Sequence, residues 1–347
     1  MKIICIPVIA VLLTPWLFNA THSQPLFRIV VHEKRGFIDS GGTVLLPPMF
    51  DFAKGFSDGL ALVWSGTSSE GSDMTPTSWG YIDAAGRMRV RPKYDDGRSF
   101  SEGLAAVRKS GIGAVKSTVW GFIDTSGREV VKPQYYSVGD FSEGLAWVQT
   151  QRRILFVYPV DKFGFIDRSG KLVISSAYEQ AGNFSEGLAP VRIDGKRGYI
   201  NRSGAITIPA RFDAGYGFSE GLAQVRVGSY WGYVDATGTL KIQAEYDNSL
   251  AFSEGYALVL KSGTWKFIDT SGSTLVAPVF AEAASFSEGL APILVGGKWG
   301  YIDRQGKVVL QPSFDKAGNF SMGRAFVQKA GREEYIDKSG RAVWQSQ

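Results

Sequence analysis

The chain has 347 residues, room for one large domain or two ordinary ones, and its 44% hydrophobic content suffices for a core. Its formal charge of +5 is spread thinly over 38 basic and 33 acidic residues with no Lys/Arg block, which argues against a nucleic-acid partner. Forty-two glycines and 13% aromatics, without collagen-like spacing, point to many short strands and tight turns.

At the N-terminus, Lys2, the apolar run 3–18 and the small polar stretch 19–23 read as a secretory signal, residues 1–23, cleaved before Gln24. The run is shorter than the roughly 20 residues that span a bilayer, so an uncleaved anchor is the less favoured alternative. No later segment is long and apolar enough to cross a membrane, and the mature chain is expected to carry no membrane span. Cys5, the only cysteine, falls inside the signal. The mature chain, residues 24–347, would then hold no disulfide, thiol nucleophile or thiolate ligand.

Everything after residue 25 is repetitive. The segment Trp299-Gly300-Tyr301-Ile302-Asp303-Arg304-Gln305-Gly306 has relatives beginning at Arg35, Trp79, Trp120, Phe163, Arg197, Trp231, Trp265 and Glu333. A second motif, Phe-Ser-Glu-Gly-Leu-Ala, begins at Phe56, Phe100, Phe141, Phe184, Phe218, Phe252, Phe286 and Phe320, each 21 residues after a copy of the first. Asp or Asn followed three residues on by Gly, as in Asp303 and Gly306, is the signature of a hairpin closed by a left-handed glycine. It separates strand A before it from strand B after it. The Phe-Ser-Glu-Gly turn then leads into strand C, for example residues 188–192. Strand C returns to the next A through pairs such as Asp194-Gly195 and Gly296-Gly297, which tolerate the positive φ of tight hairpins. The unit is a three-stranded C-A-B meander, and nine units fill the chain.

One such unit buries too little surface to stand alone. Position three of strand A is always Phe or Tyr, and the Phe of the second motif recurs in every copy, so stacked units would share a continuous aromatic core. The glycine after Trp is expected to admit a neighbouring unit or ring. With three strands per unit and no strand exchange between the ends, an open, curved all-β solenoid is favoured. A closed, propeller-like ring is the alternative.

These motifs resemble the bacterial WG-repeat family, also called KWG repeats, across essentially the whole mature chain. The resemblance implies a secreted or surface-associated repeat protein, and it lends no catalytic residues.

The later units keep a strict period of 34 residues, as from Trp265 to Trp299, whereas the first three intervals are longer. All the extra length falls in the C-to-A hairpin, within 64–78, 108–119 and 149–162. Insertions gathered on one edge often mark a binding face. The third holds Arg152 and Arg153 and an apolar stretch that includes Leu155, Phe156 and Tyr158, which needs a partner or a fold-back to stay soluble. Trp231, Trp265 and Trp299 form a second candidate surface, an aromatic column able to stack on sugars.

Columns of Asp and Glu suggest calcium or paired catalytic acids. Turn initiation accounts for the Asp column, and carboxylates repeated in equivalent settings lack the unlike environments that glycoside hydrolysis needs. His32 has no partner imidazole. The expectation is a non-catalytic, extracytoplasmic binding or scaffold protein without metal or cofactor. It would be periplasmic, cell-surface or secreted, and would bind a protein through the insertion edge. The alternative is a cell-wall glycan bound through the Trp column. The oligomeric state stays open.

Overall fold

The computed structural model describes residues 25–64, 78–110, 118–154, 157–275 and 278–346. Each unit forms its own antiparallel sheet, nine in all, and none of the described residues is helical. In the fifth sheet, strand C is Leu188–Ile193, strand A Lys196–Asn201 and strand B Ile206–Phe212, a meander as the sequence predicts. Asp194 and Gly195 both take positive φ at the C-to-A turn, as does Gly204 after strand A.

Sequence reasoning missed a fourth strand. Between strand B and the Phe-Ser-Glu-Gly turn lies a two-residue strand, Gln180–Ala181 in the fifth sheet, paired with strand C of its own unit. Seven of the nine sheets have all four strands. The short strand forms one edge. Strand B forms the other, and there alternate residues face solvent.

The nine sheets are blades of a closed ring, so the favoured open array gives way to its alternative. Blade 9 meets blade 1 through side chains, without exchanging a strand. Arg324 donates from Nε and Nη2 to the Ser40 carbonyl, at 2.9 and 2.7 Å. The Tyr335 hydroxyl donates to the Arg28 carbonyl at 2.7 Å, and the Tyr335 and Phe27 rings lie 5.5 Å apart. Phe27, Ile29 and Ile38 of blade 1 pack with Tyr335 and Trp344 in one cluster.

The aromatic columns are the wedges between blades. The ring at position three of strand A packs on the motif Phe of the following blade. Examples are Tyr81 on Phe100 at 4.9 Å, Phe122 on Phe141 at 4.8 Å, and Tyr301 on Phe320 at 5.0 Å, all close to edge-on. Such pairs add about 0.5–1.5 kcal/mol beyond the burial of the rings. At the seam, Phe27 stands in for the motif Phe.

The glycine after Trp has a different reason from the expected one. A Cβ on Gly121 would lie 2.4 Å from the carbonyl oxygen of Val131 and 2.6 Å from the nitrogen of Pro133, both in strand B of the same blade. The Pro-containing step of strand B bulges onto this glycine: Trp120 pairs with Tyr135 and Phe122 with Val131, so four residues of B span two of A. Blade 7 has Lys266 at this position, and its sheet lacks a regular strand B among the described residues. Blade 9 has Glu334, and there the pairing steps evenly from Glu334 with Gln345 to Tyr335 with Trp344, shifting register only between Tyr335 and Ile336. In blade 9 the loss of the glycine thus goes with the loss of the bulge at that step.

Candidate functional site

The ring has two unlike faces. One carries the Phe-Ser-Glu-Gly turns and the A-to-B turns. Its motif carboxylates each accept a backbone N–H from the next blade, as in Glu102 from Gly144 at 2.9 Å and Glu254 from Gly289 at 2.7 Å. The motif serines donate to the next motif Phe carbonyl, as in Ser101 to Phe141 at 2.7 Å. The Glu column is therefore a belt of blade-to-blade bonds. At its last copy Met322 replaces the acid, and Arg324 takes over the junction with blade 1. That departure from the motif was visible in the sequence as Phe320-Ser321-Met322-Gly323-Arg324, but its role in closing the ring was not.

The Asp column works within each turn. Asp235 accepts the N–H groups of Thr237 and Thr239 and the Thr237 hydroxyl. The hydroxyl above all, together with the two amides, pulls its carboxyl down to about 2. Asp124 is held at about 2 in the same way, first by the Ser126 hydroxyl and then by Arg128. These carboxylates are occupied by their own turns.

The opposite face carries the C-to-A tips. In blade 5 the two strands separate after Ile193 pairs with Lys196. In blade 4 they run on as Leu145–Ile154 and Val157–Asp167, and pairing continues through Thr150 with Lys162, Gln151 with Asp161, Arg152 with Val160 and Ile154 with Val157. Four further residues extend a strand by about 13 Å. The short strand stops at Gln149 and strand B at Phe163. Beyond those points both outer edges of the hairpin are unpaired among the described residues.

Of the sequence-predicted residues, Arg152 and Arg153 lie on the outgoing strand of this hairpin and Tyr158 on the returning one. Leu155 and Phe156 fall outside the described residues. The first two insertions also lie largely outside them. Trp231, Trp265 and Trp299 are half-buried on three successive blades, each packed against a separate core cluster. Trp231 stacks on Tyr216 at 5.5 Å and 20°, with the Arg226 guanidinium 5.9 Å from its ring. The fold thus divides the candidates between the blade 4 hairpin and blades 6–8.

A closed ring of nine small sheets, each paired mainly with itself and wedged to the next by aromatic rings, is a β-propeller. The chain belongs to the WG-containing repeat family, whose model matches eight times, over residues 36–63, 79–111, 120–151, 163–196, 198–231, 231–265, 267–299 and 299–332. Among solved structures, a eukaryotic initiation factor resembles it with a TM-score of 0.63 at 11% identity, over 94% of this chain and 96% of that one. That likeness is one of fold. Apo AztD from Citrobacter koseri aligns over 92% of this chain and 94% of its own at 14% identity, with a TM-score of 0.43. No curated protein matches the chain.

Proposed function

We propose that this chain is a non-catalytic binding or scaffold protein that works outside the cytoplasm and engages a protein partner through the hairpin-bearing face of the ring. One observation carries the reading: the blade 4 hairpin continues past its own sheet with both edges unpaired among the described residues. Unpaired strand edges offer backbone donors and acceptors to an incoming strand. The repeated carboxylates support a non-catalytic role, because each is engaged with backbone N–H groups of its own or the next unit.

The test replaces residues 151–161 with Asp-Gly, the short C-to-A turn of blade 5. Both chains are then used to capture partners from an extracytoplasmic fraction after cross-linking. A protein held by the intact ring and lost from the trimmed one, with unchanged circular dichroism, is the expected result. Equal capture by both rings, or by neither, counts against the reading. Retention of both rings on purified cell-wall glycan, abolished by Trp231→Ala, Trp265→Ala and Trp299→Ala together, would favour the aromatic column instead.

A further inference from the structure

Nine copies of one unit impose nearly the same wall on every side of the ring axis, so a ligand site should show as departures from the repeat that converge in one place. One such place exists. A cavity of about 490 Å³ is lined by the residues just before the motif Phe in four consecutive blades, together with parts of strands C and A. Its size falls within the roughly 300–1,000 Å³ of small-ligand sites. At the two positions before the motif Phe, blades 3 to 6 include Arg98, Asp140, Asn183 and Tyr216, whereas blades 7 and 8 carry Leu250-Ala251 and Ala284-Ser285. Arg98, Asp140 and Tyr216 are departures, while the Gly182-Asn183 pair recurs in blade 9 as Gly318-Asn319.

Two further departures face the same space. Trp147 occupies a strand C position that is Pro190 in the next blade, and Arg197 stands where blades 6, 7 and 8 have Trp. Both are seated by glycines. A Cβ on Gly139 would lie 2.3 Å from Trp147 Nε1 and 2.5 Å from Asn183 Oδ1, and one on Gly215 would lie 3.0 Å from Arg197 Cγ. The glycines let the indole edge, the amide and the arginine stem close in on the cavity wall.

The polar groups are unequally satisfied. Arg98 donates to the Val138 carbonyl at 2.8 Å, pairs with Asp140 at 3.5 Å and lies 5.0 Å from the Trp120 ring. Arg197 donates only to a neutral amide oxygen, that of Gln180, at 2.9 Å, and it forms no ion pair among the described residues. Its partial burial lowers its pKa, as it does for a cation without an anion beside it. Asn183 makes no side-chain hydrogen bond among the described residues. Tyr216 has one face against Trp231 and is 57% exposed.

We infer that this cavity binds an acidic sugar of hexuronate type. The open Tyr216 face and the Trp147 edge would take the C–H face of a pyranose ring. Asp140 and Asn183 match neighbouring hydroxyls, and Arg197 receives the carboxylate that its surroundings lack. Trp147 lies on strand C of blade 4, but the site uses no residue of the hairpin extension 151–161 that the protein-binding test removes, so the two readings are tested separately.

The test titrates the purified chain with glucuronate, glucose and acetate, followed by tryptophan fluorescence and calorimetry. Glucuronate should bind at least ten-fold more tightly than glucose, and acetate should not bind measurably. Arg197→Gln should erase the preference for glucuronate over glucose, and Asn183→Ala should weaken both sugars. Gly217→Phe, which fills the cavity, should abolish binding while the far-ultraviolet circular dichroism stays native. Absence of glucuronate binding, acetate binding as tight as glucuronate, or full binding by the Gly217→Phe chain would each overturn the assignment.

Discussion

Gly232→Ala places one methyl group where strand B of blade 6 crosses strand A. The new Cβ would sit 2.6 Å from the Ile242 carbonyl oxygen and 2.7 Å from the Ala244 nitrogen. Ordinary contact begins at 3.4 Å, so the bulge must retreat by about 0.8 Å. Both obstructing atoms are backbone and cannot swing aside. A strained but intact bulge costs about 1–3 kcal/mol, the usual range for overpacking. If strand B detaches instead, the strain is relieved but Tyr246, now 6% exposed in the blade 6 core, loses roughly 1.5–3 kcal/mol of burial. Either way the loss should lie between about 1 and about 3 kcal/mol, read as a fall in the urea midpoint at unchanged slope. Gly217→Ala is the control. It lies in the same blade without positive φ, and its nearest neighbour would be Ser185 Cβ at 3.5 Å. That change should be neutral or slightly stabilising. Equal midpoints for the two variants would refute the account of the Trp-Gly motif.

Two further outcomes follow from the seam and the turns. Arg324→Ala removes two charge-assisted bonds to the Ser40 carbonyl, so the junction should weaken by about 2–4 kcal/mol. Amide exchange in Phe27–Val31 should then accelerate well ahead of that in blade 5, and uniform exchange across the ring would show that the seam does not depend on this clasp. The turn carboxyls of Asp124 and Asp235 are lowered from 3.8 to about 2 in the folded chain. A group lowered on folding stabilises above its unfolded value and loses that contribution as pH falls through its folded one. Stability should therefore decline between pH 4 and pH 2. Ser126→Ala with Thr237→Ala should shrink that decline, and carboxyl titrations near 4 in the parent chain would contradict the assignment.

Much of this molecule was legible in its sequence because repetition made each signal visible many times. The Asp-to-Gly turns, the paired turn residues at the C-to-A tips and the aromatic at position three of strand A are local and periodic, and each appears where it was read. The third insertion was likewise plain as added length between strands C and A, and it emerges there as a longer hairpin. The two-residue strand was not legible, because two residues carry no alternation and its pairing with strand C exists only once the chain has turned back. Closure was hidden for a related reason. Whether nine sheets open into a spiral or meet depends on the small rotation between neighbours, set by rings such as Tyr81 and Phe100 packing across units. The clasp itself joins Arg324 to Ser40, 284 residues apart. The cavity was hidden too. Its lining comes from four consecutive units, and only the packing of blades 3 to 6 against one another brings those residues to one place.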